Sequence, residues 1–276
     1  MEKVLILGAS GLVGRSLADE FKEGFDLYGT YSSSSTSLPE SKQFQLEVQQ
    51  IDKMRQIIRS IKPDAVISCI RGDFDHQLQF HKELAMELRS LGSSLYFLST
   101  TNVFDGDFSK PHTEMDIPIS ETDYGKFKIE CENMLNKVLG EGLIIIRIPA
   151  IWGKDSPRLN LIRESIKQDK MIDVYSNLIC SNLLDVVLAR QFRYIIENKL
   201  KGIFHLASQD LIAYGEFFEQ IVNAVASEKN ILQYNLFQDN ENTHYFALKS
   251  IREDIPDSLQ CKNKDIISYL LGELNP

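Results

Sequence analysis

Apolar residues along the chain fall into short unbroken runs that alternate with longer stretches in which they recur every three or four positions. Val4-Leu5-Ile6-Leu7 is such a run, the pattern of a strand buried on both faces of a parallel sheet. Leu12, Ser16, Leu17, Glu20 and Phe21 follow at helical spacing. Residues 27–31 predict a second strand and 44–48 a weaker third. Over 51–61 the residues Ile51, Met54, Ile57, Ile58 and Ile61 share one helix face, and Pro63 stops that helix. A strand over 65–69, a helix over 76–91, a strand over 95–98, a helix over 124–139 and a strand over 143–148 complete the series. This repeated alternation predicts an α/β fold, a doubly wound parallel sheet of the Rossmann type.

After Trp152 the rhythm loosens. Helices are predicted over 159–167 and 184–196 and a late strand over 203–206; the remainder reads as mainly helical, ending with a helix over 264–274. No internal repeat or linker is visible, and the serines at 32–35 read as a loop after the second strand.

The net charge of -9 argues against a nucleic-acid partner. Cys69, Cys131, Cys180 and Cys261 are scattered, with no spacing for zinc or a redox dithiol, and read as reduced, mostly buried thiols. Met1-Glu2-Lys3 runs straight into a strand with no signal-peptide pattern. The most apolar stretch, 143–152, is interrupted by Arg147 and Pro149 and is too short to span a bilayer. A cytoplasmic protein with no membrane segment and no metal is expected; a homodimer is one assembly open to it.

Gly8-Ala9-Ser10-Gly11-Leu12-Val13-Gly14 sits between the first strand and the first helix. A pyrophosphate needs close backbone, free N–H groups and the positive end of a helix dipole, and glycines three apart meet those needs. This predicts a nicotinamide dinucleotide site. An NAD-preferring site usually carries an acid at the end of the second strand. Here the sequence is Tyr31-Ser32-Ser33-Ser34. Those hydroxyls, with Arg15, either hold a 2′-phosphate, which favours NADPH over NADH, or form a solvated polar loop.

Tyr124 and Lys128 lie four apart on a predicted helix and so share a face. A free tyrosine titrates near ~10, and a neighbouring ammonium favours the phenolate. Ser99-Thr100-Thr101 closes the strand before them, at the sheet edge where ligands bind. A hydroxyl there can steady a carbonyl oxygen while Tyr124 donates to it.

At these residues the sequence resembles the extended short-chain dehydrogenase/reductases, and within them the dTDP-4-dehydrorhamnose reductase-like family. The resemblance runs over nearly the whole chain. Its markers are the glycine turn, Leu46-Glu47-Val48, Ser99-Thr100-Thr101-Asn102-Val103-Phe104-Asp105-Gly106, Glu114-Met115-Asp116-Ile117-Pro118, Tyr124-Gly125-Lys126-Phe127-Lys128, Arg147-Ile148-Pro149-Ala150-Ile151-Trp152-Gly153 and Gly202-Ile203-Phe204-His205-Leu206-Ala207. What the resemblance implies is hydride transfer from NAD(P)H to a keto carbon of a nucleotide-linked sugar. Thr100 would polarise the carbonyl, Tyr124 would be the general acid, and Lys128 would tune Tyr124 and hold the ribose. Pro149 would border the nicotinamide; Glu47 and Cys69 would lie along the cofactor. Residues 1–152 with about 178–208 would form the Rossmann domain, and about 153–177 with 209–276 a smaller, mostly helical substrate lobe.

The chain departs from that family's usual pattern on the substrate side. Thr101-Asn102 stands for Asp-Tyr, Ala150 for a tryptophan, and Ile70-Arg71-Gly72-Asp73 for Ala-Ala-Tyr-Thr. Arg71 is a candidate phosphate or carboxylate contact or a solvated loop residue; Trp152 is pocket wall or packing. Two further readings stand beside the reductase: an epimerase or dehydratase of the same superfamily, and a non-catalytic NAD(P)-binding regulatory subunit, as in methionine adenosyltransferase. Elsewhere Asp73 and Asp75 read as a helix cap, His76 and His81 lie on different helix faces, His205 reads as a core histidine, and Glu130 and Glu132 as solvated helix positions. A second tyrosine–lysine pair, Tyr245 and Lys249, lies far from the nucleotide-binding half and reads as coincidence.

Overall fold

The computed structural model describes residues 1–226 and 230–273. The first half runs β1 (Lys3–Leu7), α1 (Leu12–Phe21), β2 (Asp26–Tyr31), β3 (Gln43–Gln45), α2 (Ile51–Ile61), β4 (Ala65–Ser68), α3 (Phe74–Leu91), β5 (Ser94–Thr100), α4 (Asp123–Leu139) and β6 (Leu143–Ile148). It continues with β7 (Ala150–Trp152), α5 (Pro157–Gln168), β8 (Ile172–Tyr175), β9 (Leu178–Cys180), β10 (Asn182–Leu184), α6 (Asp185–Glu197) and β11 (Gly202–His205). The last elements are β12 (Ile212–Ala213), α7 (Tyr214–Val225), β13 (Leu232–Asn235), β14 (His244–Phe246) and α8 (Asn263–Leu270).

Seven strands form one sheet in the order β11-β6-β5-β4-β1-β2-β3, every pair parallel. The order reverses between β1 and β4, so the chain leaves β1 toward one side of the sheet and returns on the other. In such sheets a crevice opens at that point, outside the carboxyl ends of the strands. The unbroken run of β1 is explained by its two sides: Val4 and Ile6 pack into one core with α1 and α6, Leu5 and Leu7 into another with α2, α3 and α4. Local signals place the helix ends. Asp73 accepts the His76 N–H at 3.1 Å at the start of α3, and Lys62 ends α2 in the left-handed conformation just before Pro63. Among the described residues, no helix is long and apolar enough to cross a membrane.

The α/β reading of the first half holds closely, with the weak third strand shorter than expected at Gln43–Gln45. The mainly helical reading of the remainder holds in α5, α6, α7 and α8 but misses the short strands between them. Short strands β12, β13 and β14 pair with β9 and β8, and β7 pairs with β10. Strands of two to four residues are too short to carry a periodic signal, and theirs is set by partners distant in sequence. The last helix ends at Leu270; the expected end at Leu274 lies outside the described residues.

Glu132, expected on the solvated face of α4, is buried. Arg147 on β6 is 2% exposed and donates to both Glu132 oxygens, at 3.1 and 2.7 Å. Its third contact is His205 Nε2 at 3.3 Å. The His205 Nδ1 sits 3.0 Å from the His112 carbonyl, so Nδ1 carries the proton and Nε2 accepts. His205 is the satisfied core histidine its sequence context suggested, its pKa pushed down to about 4 chiefly by burial. This network ties α4, β6 and β11 behind the sheet edge that carries the site. Glu132→Ala leaves the Arg147 charge buried without its counter-ion and is expected to cost about 3–5 kcal/mol, read as a lower urea midpoint at unchanged slope.

Candidate functional site

A cavity of about 850 Å³ runs along the carboxyl ends of β1, β2, β4, β5 and β6 and is closed on its far side by β9, α5 and α7. Apart from Arg15, the residues singled out as candidates from the sequence line it. Gly8, Ser10, Gly11, Leu12, Val13 and Gly14 form its floor; Tyr31, Ser32 and Glu47 flank one end; Cys69, Arg71, Thr100, Thr101, Asn102, Tyr124, Lys128, Pro149, Ala150 and Trp152 form the other.

The glycine turn is a backbone-only surface. Gly8 has φ +82, and a side chain there would meet the Cys69 carbonyl at 3.2 Å. At Gly14 an added Cβ would fall 2.2 Å from the Gly8 carbonyl oxygen, so α1 can start this close to β1 only with glycine. Gly11 is the N-cap of α1; no side chain caps the helix and its first turn holds no acid. The first-turn N–H groups and the positive helix end therefore face the cavity, which suits a pyrophosphate. Thr30 fixes the turn, accepting the Gly8 N–H at its hydroxyl at 3.1 Å and the Ala9 N–H at its carbonyl at 2.8 Å. The residues fit a dinucleotide: the cradle is one that Cβ atoms would fill.

At the flanking end Glu47 is the one acid in the lining, among the described residues, and β2 ends without one. Tyr31 and Ser32 face the cavity there. Arg15 does not: it donates to the Ser10 carbonyl at 3.0 Å outside the lining.

At the other end three side chains converge. Thr100 closes β5; Tyr124 and Lys128 extend from the first two turns of α4, whose start is held by Thr122 accepting the Gly125 N–H at 3.2 Å. Tyr124 is 39% exposed and faces the cavity that Thr100 also lines. Lys128 is buried and donates to the Leu98 carbonyl at 2.9 Å. Burial pulls its pKa down to about 8. The expected tuning of Tyr124 by Lys128 differs from what the geometry gives. The ammonium lies 6.0 Å from the Tyr124 ring centroid and points to the carbonyl. Burial raises the Tyr124 pKa, opposed by the Arg71 charge and the Thr100 hydroxyl. Arg71, from the loop after β4, is the cation whose field reaches the phenol.

On the substrate side Thr101 is buried and donates to the Ile148 carbonyl at 3.3 Å, while Asn102 folds back onto Thr100. Trp152 is 1% exposed; its Nε1 donates to Asn182 at 2.9 Å and its ring packs 4.9 Å from Phe217. Packing is its main role, with one edge on the cavity. The aromatic wall of Tyr214, Phe217, Phe218 and Phe246, and the cation Arg158, escaped the sequence reading. An apolar triplet at 214, 217 and 218 has the spacing of an ordinary core face, so nothing local marks it. Tyr245 and Lys249 lie on β14 and beyond it, not on one helix.

A doubly wound parallel sheet with a glycine-floored cavity at its switch point, ending at a Thr, Tyr and Lys cluster, defines the class: a dinucleotide-binding fold of the short-chain dehydrogenase/reductase type. Residues 1–244 match the family model described as RmlD substrate binding domain, and the chain belongs to that family. It is 24% identical over 251 residues to the methionine adenosyltransferase 2 subunit beta of Danio rerio, covering 80% of this chain and 73% of that protein. It is 25% identical over 254 residues to the dTDP-4-dehydrorhamnose reductase of Aggregatibacter actinomycetemcomitans, covering 83% and 81%. Among solved structures it resembles dTDP-4-dehydrorhamnose reductase from Bacillus anthracis in complex with NADP, with a TM-score of 0.82, 20% identity and 99% of each chain covered.

Two outcomes follow from the geometry. Gly14→Ala is expected to weaken binding of a nicotinamide dinucleotide at least about tenfold by titration and to cost about 1–3 kcal/mol of stability, because helix and turn must part. Lys128 holds its proton to 10.5 in the unfolded chain and only to about 8 when folded. Between those values the unfolded chain binds more protons, so stability rises with pH across that window. Lys128→Met is therefore expected to be more stable than wild type at pH 7, with the advantage shrinking above pH 8; melts at several pH values read it.

Proposed function

We propose that this chain is an NAD(P)H-dependent reductase of a keto group on a nucleotide-linked sugar. The observation that carries the reading is the shared cavity: a backbone cradle for pyrophosphate at one end, and the Tyr124 hydroxyl with Thr100 and Lys128 at the other. When bound, the reduced nicotinamide supplies the hydride. Tyr124 would act as general acid and give its proton to the carbonyl oxygen. Its raised pKa keeps it protonated for that role. Lys128 would hold the ribose hydroxyls and Thr100 would polarise the carbonyl oxygen, with Pro149 bordering the nicotinamide. Gly8, Ser10, Gly11, Leu12, Val13 and Gly14 hold the diphosphate, and Cys69 lies alongside.

NADPH is favoured over NADH, because hydroxyls at Tyr31 and Ser32 and no acid follow β2. Glu47 then lies on the adenosine side. About 153–177 and 209–276 would form the lobe that meets the sugar nucleotide, with Arg71, Thr101, Asn102, Ala150 and Trp152 on the boundary. The solved relative bound to NADP and the reductase relative support this reading.

The relatives named as subunit beta of methionine adenosyltransferase 2 favour a second reading, a cofactor-binding regulatory subunit. One experiment separates the two. With a panel of 4-keto nucleotide sugars, NADPH absorbance is expected to fall only when a ketone is present, and Tyr124→Phe to lower kcat about a hundredfold or more with cofactor affinity retained. Tight NADPH binding without turnover on any ketone would favour the subunit.

A further inference from the structure

We propose that the ketone reduced here carries an anionic group, a carboxylate or a phosphate, on the sugar itself, and that Arg71 is the specificity-determining residue that binds it. This rests on the reductase reading and names its substrate class.

The backbone fixes where Arg71 stands. Strands β4 and β5 run parallel with Ser68 beside Phe97, and counting three residues on along each brings Arg71 level with Thr100. On its other side β4 pairs with β1, and the chain after it abuts the glycine turn: a Cβ on Gly8 would lie 3.2 Å from the Cys69 carbonyl oxygen. Gly72, at φ +145, turns the chain directly after Arg71. The Gly72 carbonyl accepts from Gln77 Nε2 at 2.7 Å. The Phe74 ring then stacks on Phe127 at 4.8 Å between centroids, with the Tyr124 ring 5.9 Å away. Arg71 is thus held between the dinucleotide cradle and the phenol, and it lines the cavity they share. Its charge reaches the Tyr124 phenol, the Lys128 ammonium and the Cys69 thiol.

No carboxylate answers that charge. Arg55, Arg59, Arg147, Arg193 and Arg252 are each paired with an acid, whereas Arg71 forms no ion pair among the described residues. Asp73, two positions on, is engaged at the start of α3, where it accepts the His76 N–H and lies 3.1 Å from His76 Nδ1. Glu47, the one acid in the lining among the described residues, stands at the opposite end.

The other anions of the reaction have their own places. The dinucleotide diphosphate has the glycine turn and the uncapped start of α1. The phosphates of a nucleotide-linked substrate have Arg158, which lines the far wall at the start of α5 and forms no ion pair among the described residues either. The guanidinium left beside the reacting cluster calls for a further oxyanion, and its planar fork suits two oxygens of one carboxylate or phosphate. That group belongs on the sugar, next to the carbon that takes the hydride, because Arg71 stands level with Thr100.

The test compares stable ligands that differ in one group. Glucuronate and glucose linked to the same nucleotide, UDP or dTDP, differ only in a carboxylate for a hydroxymethyl. Each is titrated by calorimetry into full-length Tyr124→Phe saturated with NADP+, where no turnover competes. The glucuronate is expected to bind at least about tenfold more tightly, as a charge-assisted hydrogen-bonded pair implies. Arg71→Met in the same background is expected to abolish that preference while affinity for the glucose ligand and for NADP+ stays within about twofold, and Arg71→Lys to keep part of it. Equal binding of the two ligands, or a preference that survives Arg71→Met, overturns the proposal. So does a loss of NADP+ affinity in Arg71→Met, which would assign the guanidinium to the cofactor. If no nucleotide sugar binds, the nucleotide-sugar reading fails, and free glucuronate against glucose then decides the role of Arg71 by the same criterion. Wild-type turnover of neutral ketones with no preference for acidic ones would uphold the reductase and overturn the role of Arg71.

Discussion

Helix α1 begins so close to the end of β1 that a Cβ on Gly14 would fall 2.2 Å from the Gly8 carbonyl oxygen. Most of what the cavity can do depends on that approach. It keeps the first-turn N–H groups uncapped at the switch point of the sheet, where β1 and β4 part to opposite sides. Thr30 locks the turn from the neighbouring strand through two hydrogen bonds. An anion offered this surface meets fixed donors and a helix dipole, with no ordering left to be done.

Two cations buried close to one another in the fold meet different fates, and the contrast separates structure from site. Arg147 is held by both oxygens of Glu132 and by a neutral His205, so its charge is compensated. Lys128 donates to the Leu98 carbonyl and lies over the Phe97 ring, 4.5 Å from its centroid, with no carboxylate bonded to it among the described residues, and burial pulls its pKa to about 8. A paired charge behind the sheet stiffens the strand ends. An underpaired one facing a cavity holds unspent hydrogen-bonding capacity, and perturbed groups of this kind gather where ligands bind.

Much of the site was legible in the chain because its signals are local. The glycines at 8, 11 and 14 follow an unbroken apolar run, and Tyr124 and Lys128 share a helix face through spacing alone. Thr100 was found because a strand end is readable. What escaped was set by partners distant in sequence. Glu132 looked like any solvated helix residue until Arg147, 15 positions on, claimed it. The aromatic wall of α7 has the spacing of a core face, and only its neighbours show that part of it borders a cavity.

Apolar period and glycine spacing act over a few residues, and they were enough to define the elements of the parallel sheet, the turn that floors the cavity and the identity of the cluster at its far end. Tertiary structure alone decided where the short strands after β6 pair, which cation the Tyr124 phenol feels, and where the protons of Thr100 and Lys128 point. Pairing, burial and hydrogen-bond direction are properties of the groups that meet in space, and spacing along the chain does not carry them.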